Sequence, residues 1–384
     1  MRLSFIALSR SLLILLSLFL LNAPLGSPTL RAEASQQSVG ALLAICSAPV
    51  TAREARQPVE IQATAALSPT IVTTIDMGAA PHGVAVSPDG RRVYVTDFTD
   101  RSVSIIDAAS LQIVKSIPVG RGAVNLLLTA DGSRAYVTNE FDDSLSVIDT
   151  QSETVIQTIA LPDRPHGLDL APDPDSGEAE RRLYVANLGS NSVSVIDTQS
   201  LEVITHIAVG DTPDSPLASP DGRTIWVTNY NGQSLSVVDA VALTETAKWQ
   251  VGAQPHGFQR SADGSRIYLT LQGEDEFVIL DAVTGEKLDE TAVNAAPHGL
   301  GISPDGRFAW TGDLGGRSST ILETATGNAV AQISYGGLAN PHAIAFSPDG
   351  KRAYVSDFVG RRLVVVDTGV REQVFLPAIF GQGG

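Results

Sequence analysis

The stretch PHGVAVSPDGRRVYVTDF at residues 81–98 returns near the other end of the chain as PHAIAFSPDGKRAYVSDF, residues 341–358. Between the two lie five more copies. Aligned on the residue after the proline, the seven equivalents are His82, Val124, His166, Asp214, His256, His298 and His342. They are separated by 42, 42, 48, 42, 42 and 44 residues. The longest step carries an insertion around residues 173–182, and the last an added stretch near residues 335–340. Self-similarity at a fixed period constrains a chain more than any composition does, because each unit must find the same fold and bury its faces against its neighbours.

Every copy has the same internal order. A short apolar run such as Val84-Ala85-Val86 leads into Ser87-Pro88-Asp89-Gly90, a tight-turn signal in which glycine supplies positive φ. Next comes Val93-Tyr94-Val95-Thr96, β-branched and aromatic as strands are. After a polar turn, SVSIID at residues 102–107 alternates with period two. QIVKSIPV at residues 112–119 then leads to the next copy. Four short antiparallel strands in about 42 residues describe a propeller blade. The predicted fold class is therefore all-β, a seven-bladed β-propeller of four-stranded antiparallel blades. IVTTIDM at residues 71–77 has the fourth-strand pattern but precedes the first blade, so it is expected to complete the seventh. The rival closing segment, residues 373–380, fits less well because Pro377 interrupts it.

The first 70 residues contain no copy of the repeat. Arg2 and Arg10 are followed by SLLILLSLFLL at residues 11–21 and by Ala32-Glu33-Ala34. A basic lead, a short apolar run and an A-x-A site read as a secretory signal peptide; an uncleaved anchor is the alternative, disfavoured by the shortness of the run. The expected organisation is a signal peptide at 1–34, a linker or tail at 35–70 and the propeller at 71–384. Localisation would then be periplasmic or secreted, with no membrane span after cleavage. Loss of residues 1–34 removes Arg2, Arg10, Arg31 and Glu33, which takes the net charge from −16 to −18. That charge opposes a nucleic-acid partner, whose phosphates need a positive field, and opposes adhesion to anionic lipid. It favours solubility and attraction of cations. Cys46 is the only cysteine, so no intramolecular disulfide can form. Ile45 before it is too bulky for a lipid-anchor signal, which leaves an incidental thiol in a linker.

The second strand reads Tyr136-Val137-Thr138-Asn139 in copy two and Trp226-Val227-Thr228-Asn229 in copy four, with YVTD and YVSD in copies one and seven. Together with SPDG and SVIDT, this resembles the YVTN-repeat, YncE-like, β-propeller family over essentially the whole chain after residue 70. The resemblance implies the fold. Its motifs do not specify function: similar propellers include archaeal surface-layer proteins, periplasmic proteins that bind single-stranded DNA, and parts of quinoprotein and copper oxidoreductases. More distant seven-bladed relatives include lactonases and a metal-dependent lyase. A fold that hosts so many activities transfers none by itself.

The candidate functional residues lie on the repeated position after the proline. It precedes the innermost strand, which lines the channel of a propeller, so the seven equivalents are expected to ring one mouth of that channel. His82, His166, Asp214, His256, His298 and His342 would then be the ligand-binding set. Five of the chain's six histidines are here; His206 is the exception. Ring closure makes His256, His298, His342 and His82 a continuous arc, the candidate metal ligands, and a divalent ion is the cofactor such an arc would hold. Metal–nitrogen distances near 2.0–2.1 Å limit one ion to two or three neighbours. Asp97, Asp313 and Asp357 each follow a ring histidine by 15 residues, so they are expected behind the imidazoles, fixing the tautomer as an outer carboxylate does. The competing account is structural: a repeat multiplies whatever it contains, and a histidine bonded to a backbone carbonyl or to the nearby Asp would hold blades in register. Val124 and Asp214 show that the turn does not require histidine.

The Tyr or Trp recurring on the second strand (Tyr94, Tyr136, Tyr184, Trp226, Tyr268, Trp310, Tyr354) is expected to pack between blades. Asp107, Asp149, Asp197, Asp239, Asp281 and Asp367 are expected to cap turns at the other face. No P-loop, GxSxG, HExxH, CxxC or CxxCH pattern occurs. Two functions remain in view. One is an exported, monomeric binding propeller whose channel mouth takes a small ligand, a metal ion or a protein partner. The other is a metal-assisted enzyme of the lyase or lactonase type, in which a histidine-bound ion polarises a carbonyl and a spare histidine acts as base. Single-stranded DNA binding is suggested by the resemblance alone and opposed by the charge.

Overall fold

The computed structural model describes residues 67–370. The signal-peptide and linker expectations, Cys46 and the rival closing segment lie outside the described residues. Within them, 28 strands form seven four-stranded antiparallel sheets, with no helix. Each sheet is one blade, built in chain order from the inner strand to the outer. In blade 1 the strands are Pro81–Val86, Arg92–Asp97, Ser102–Asp107 and Gln112–Pro118.

Blade 7 breaks the chain order. Its inner three strands are Pro341–Phe346, Arg352–Asp357 and Arg362–Asp367, and its outer strand is Thr70–Asp76, from the other end of the propeller. The pairing runs from Thr70 opposite Asp367 to Asp76 opposite Arg362. The strand expected at 71–77 thus closes the ring. Closure ties the two ends of the described chain together and gives Arg362–Asp367 the outer partner that the third strand of every other blade has.

Burial follows the stacking of blades. Seven apolar clusters occupy the seven junctions. In one, Tyr94, Val103 and Ile105 of blade 1 meet Leu126, Val137 and Ile148 of blade 2. In another, Trp310 and Ile321 of blade 6 meet Val355, Val364 and Val366 of blade 7. The recurring aromatics sit in these junctions, and Tyr136, Tyr184, Tyr354 and Trp310 are wholly buried. A blade is too thin to bury its own two faces, so the junction is the core unit.

The turns are built as their residues dictate. Ser87 Oγ donates to Asp89 Oδ1 at 2.6 Å and accepts from Arg92 N at 2.9 Å, while Gly90 takes φ +71°. At the same end of the blade, Asp107 caps its turn by accepting from Ser110 N at 2.9 Å; Asp149 and Asp281 do the same for Ser152 and Thr284.

Candidate functional site: a buried histidine cluster

In every blade the register between the first two strands slips just after the conserved position, for example between Pro81 and Val84 and between Pro255 and Phe258. The same slip occurs where the ring residue is Val124 or Asp214. A bulge of this kind releases a residue from the ladder and re-aims its side chain. Seven bulges at one end of the channel therefore turn seven side chains toward the axis.

Two further features place that backbone. The residue before the end of the second strand sends its hydroxyl to the next blade. Thr96 Oγ1 donates to Val124 O at 2.7 Å, Thr138 Oγ1 to His166 O at 2.6 Å, Thr270 Oγ1 to His298 O at 3.2 Å, and Ser356 Oγ to His82 O at 2.5 Å. The glycine after the histidine leaves room for that same carbonyl. A Cβ on Gly83 would lie 2.7 Å from Val124 O, and one on Gly257 would lie 2.5 Å from His298 O. The threonine of the YVTN signature and the glycine of Pro-His-Gly are thus both parts of the ring's mounting, a role that no pattern within one repeat reveals.

The five imidazoles and one carboxylate meet at the axis. Ring centroids are 4.8 Å apart for His82 and His342, 4.6 Å for His298 and His342, 3.5 Å for His256 and His298, and 5.9 Å for His82 and His166. His82, His298 and His342 each present a ring nitrogen within 4.8 Å of the other two. His256, grouped with these three by the arc, faces the other way. Its Nδ1 lies 3.2 Å from the carbonyl of His298, and its Nε2 lies 3.5 Å from Asp214 Oδ1. His166 Nδ1 is 3.3 Å from the same oxygen. Asp214, 3% exposed, therefore stands between two histidines.

Burial governs the charge of the cluster. It pushes the pKa of His82 and His298 well below the usual imidazole value, with the neighbouring histidines adding to the effect. His342 is held at about 4, chiefly by burial. His256 is lowered by burial, partly offset by Asp214. These four rings are neutral at pH 7, and a neutral imidazole is the metal-binding form. The Nδ1 atoms of His82, His166 and His298 are buried without a hydrogen-bond partner. His342 Nδ1 lies 3.0 Å from the carbonyl of Asn340, which leaves its Nε2 as the bare nitrogen.

The three aspartates are engaged elsewhere, and the expectation that they orient imidazoles is corrected. Asp97 accepts from Ser102 and Ser104, Asp313 from Thr311 and Thr320, and Asp357 from the Asn340 and Gly360 amides and from Arg362. The reason is register. Asp97 pairs with Pro81, Asp313 with Pro297 and Asp357 with Pro341, each one residue short of the histidine. Side chains alternate along a strand, so carboxylate and imidazole take opposite faces. Asp357 acts on its histidine through a Coulomb attraction that raises the pKa of His342 against the effect of burial. Burial lifts Asp97 to about 6 and Asp313 to about 8. His206, outside the ring, lies 3.0 Å from Ser194 Oγ between adjacent strands.

Aromatic side chains pack against the histidine cluster. Phe98 and Phe358 lie over the histidines, with the Phe358 ring 4.8 Å from that of His342 and 6.0 Å from that of His82. Phe141 adds a third ring, 5.4 Å from Phe98. On the other side Tyr230 stands 6.1 Å from His256 and donates to Gln272 at 2.6 Å. Phe98 and Phe358 directly follow the second strand, where copies one and seven share Asp-Phe, and Tyr230 holds that position in copy four; the remaining copies carry non-aromatic residues there. A groove of about 1020 Å³ opens at the opposite end of the blades, between the turns of blades 1 and 7, away from the histidines.

The family model of YNCE-like beta-propellers matches residues 50–173 and 176–266, more than half of the chain. The chain belongs to that family. A search of curated proteins returns no match. Among solved structures, this YNCE-like propeller is similar to a chain of Kuenenia stuttgartiensis hydrazine synthase at 23% identity and TM-score 0.67, over 78% of this chain and 98% of that one. It is similar to streptogramin B lyase at 17% identity and TM-score 0.64, over 78% and 97%. The β-propeller domain of Myceliophteria thermophila Cps50 (Swd1) aligns at 11% identity and TM-score 0.67, over 79% and 100%. At these identities the likeness is one of fold.

Proposed function

We propose that this YNCE-like propeller is an exported binding protein whose channel holds a divalent metal ion on His82, His298 and His342. The observation that carries the reading is the convergence of three imidazoles within 4.8 Å, of which His82 and His298 keep a buried, unpartnered Nδ1. In a tetrahedron with metal–nitrogen bonds of 2.0–2.1 Å the donors stand about 3.4 Å apart, so the rings would draw together by roughly 1 Å on binding. The aromatic cap favours retention of a bound ion over turnover of a substrate. A basic lead, an apolar run and an A-x-A site support export, and net charge −16 draws cations toward the protein.

A second reading takes the same ion as a Lewis acid of the lyase or lactonase type. A likeness of fold to streptogramin B lyase accompanies it. It requires Phe98 and Phe358 to swing away from the rings to admit a carbonyl substrate.

The test is metal analysis. Purified protein is loaded with zinc or copper, dialysed and assayed for bound metal. The wild type should retain metal, and a His298→Ala/His342→Ala double variant should lose it from this position while keeping its β-sheet circular dichroism. Equal retention by both proteins, or none by either, leaves the ring as scaffold.

A further inference from the structure

Of the three imidazoles in the triad, His342 is the one whose Nδ1 is engaged. That atom lies 3.0 Å from Asn340 O, whereas the Nδ1 atoms of His82 and His298 are buried without a partner. A carbonyl only accepts, so the hydrogen of the neutral ring sits on Nδ1 and the lone pair on Nε2. Whatever holds Asn340 therefore sets both the tautomer of His342 and the direction of its bare nitrogen.

Asp357 reaches His342 through this one residue rather than by contact. Its Oδ1 accepts from Asn340 N at 2.8 Å and from Gly360 N at 2.9 Å, and its Oδ2 accepts from Arg362 Nε at 2.8 Å. Arg362 Nη2 donates in turn to Tyr335 O at 3.0 Å. Phe358 N donates to Asn340 O at 3.1 Å, so two adjacent residues grip both polar groups of the Asn340 main chain. Asp357, Asn340 and His342 are all buried.

The arrangement has a cause in the sequence of blade 7. In blades 3, 4 and 6 the residue two places before the ring position is left-handed, with φ +61° at Arg164, +56° at Thr212 and +55° at Ala296. Its amide goes to a side-chain oxygen from the preceding blade, that of Asp143, Asn191 or Asp275. Ahead of blade 7 the corresponding residue is Arg317, whose guanidinium only donates and is committed to Gly337 O at 2.6 Å. Asn340 lies outside the left-handed region, and its amide turns to Asp357 of its own blade.

We propose that Asp357 is the positioning residue of the metal centre, acting through Asn340 to present His342 Nε2 to the ion. The proposal rests on the reading of His82, His298 and His342 as ligands, and makes His342 the preorganised member of the set. Loss of a group that orients a metal-bound histidine weakens binding about tenfold to a hundredfold.

The experiment pairs the tautomer of His342 in the metal-free full chain, read from imidazole nitrogen shifts by NMR, with zinc titration. His342→Gln assigns the signal. Wild type should carry the proton on Nδ1 alone. Asp357→Leu should lose that single tautomer and bind zinc at least tenfold more weakly; blade 5 already folds with a leucine, Leu271, at the equivalent position. Asp357→Leu/Arg362→Ser, which also removes the unpaired guanidinium, is the second variant should the first fail to fold. Asp357→Asn should keep both the tautomer and the affinity, because an amide oxygen here still accepts from the main chain, as Asn139 does from Gly120 N at 3.0 Å. An unchanged tautomer in Asp357→Leu, or weaker zinc binding without a change of tautomer, overturns the positioning role. Absence of zinc from the wild type overturns the metal reading instead, and the spectra still decide whether Asp357 sets the imidazole.

Discussion

Substitution of Gly257 by alanine tests how the ring is mounted. A Cβ at this position would lie 2.5 Å from His298 O, 2.8 Å from Leu300 Cβ and 2.8 Å from Thr270 Oγ1. A carbon and a carbonyl oxygen rest at about 3.2 Å, so the backbone of His298 must retreat by roughly 0.7 Å or the two blades must part. That backbone is pinned by Thr270 and approached by His256 Nδ1 at 3.2 Å each. Overpacking of this kind costs about 1–3 kcal/mol; three close contacts, one of them to backbone, place the expected cost near 2.5 kcal/mol. With an unfolding entropy of about 2.1 cal/mol/K per residue, a ring of some 300 residues loses about 4 °C in Tm. The displacement also exceeds the ~0.5 Å tolerance of a preorganised site, so zinc affinity at the His82–His298–His342 position should fall at least tenfold. Thermal unfolding by circular dichroism and zinc titration read the two effects. Ala343→Gly is the control: blade 7 already accommodates a Cβ at the equivalent position, and its removal should cost only about 0.5–1 kcal/mol through backbone entropy. A Gly257→Ala protein within 1 °C of wild type and with unchanged zinc affinity would refute the claim that this glycine exists to admit the next blade's carbonyl.

Two other perturbations probe the network behind the ring. Thr138→Val removes the buried 2.6 Å bond to His166 O and should cost about 1–2 kcal/mol in denaturant unfolding. Asp313, with its carboxyl raised to about 8 by burial, keeps its proton in the folded state where the unfolded chain has lost it. Its contribution is therefore full below the unfolded value near 3.8, and stability is lost as pH rises from there through about 8, by up to about 4 kcal/mol at pH 7. Asp313→Asn should flatten that slope and stabilise the protein at neutral pH, as blades 2, 3 and 4 hold Asn139, Asn187 and Asn229 at the equivalent position, each donating to a pair of serines. Equal pH profiles for variant and wild type in chemical denaturation would refute it.

What one repeat contains, the sequence determined. The alternation of 102–107, the SPDG turn and the aromatic on the second strand each specify a local conformation, and their recurrence at about 42 residues requires stacked blades. The count of copies and the unpaired strand pattern at 71–77 were enough to anticipate seven blades and the closure now seen between Thr70–Asp76 and Arg362–Asp367. Membership of the ring was legible for the same reason, since equivalent positions in a closed array must share one end of the channel. Everything that depends on contact between blades was decided by the tertiary structure. The 15-residue spacing of His82 and Asp97 suggested a pair, but the register places Asp97 opposite Pro81 and alternation parts the two side chains. His256 joined His298 in sequence order, yet its Nε2 turns to Asp214, 42 residues earlier, because Nδ1 is committed to the backbone of blade 6. Ser356 fixes the carbonyl of His82 across 274 positions of chain. Such contacts have no period and no local signature: they exist only when a surface of one blade meets a different surface of the next. A single repeat therefore encodes which side chains reach the axis, and the closed ring alone decides which of them face one another.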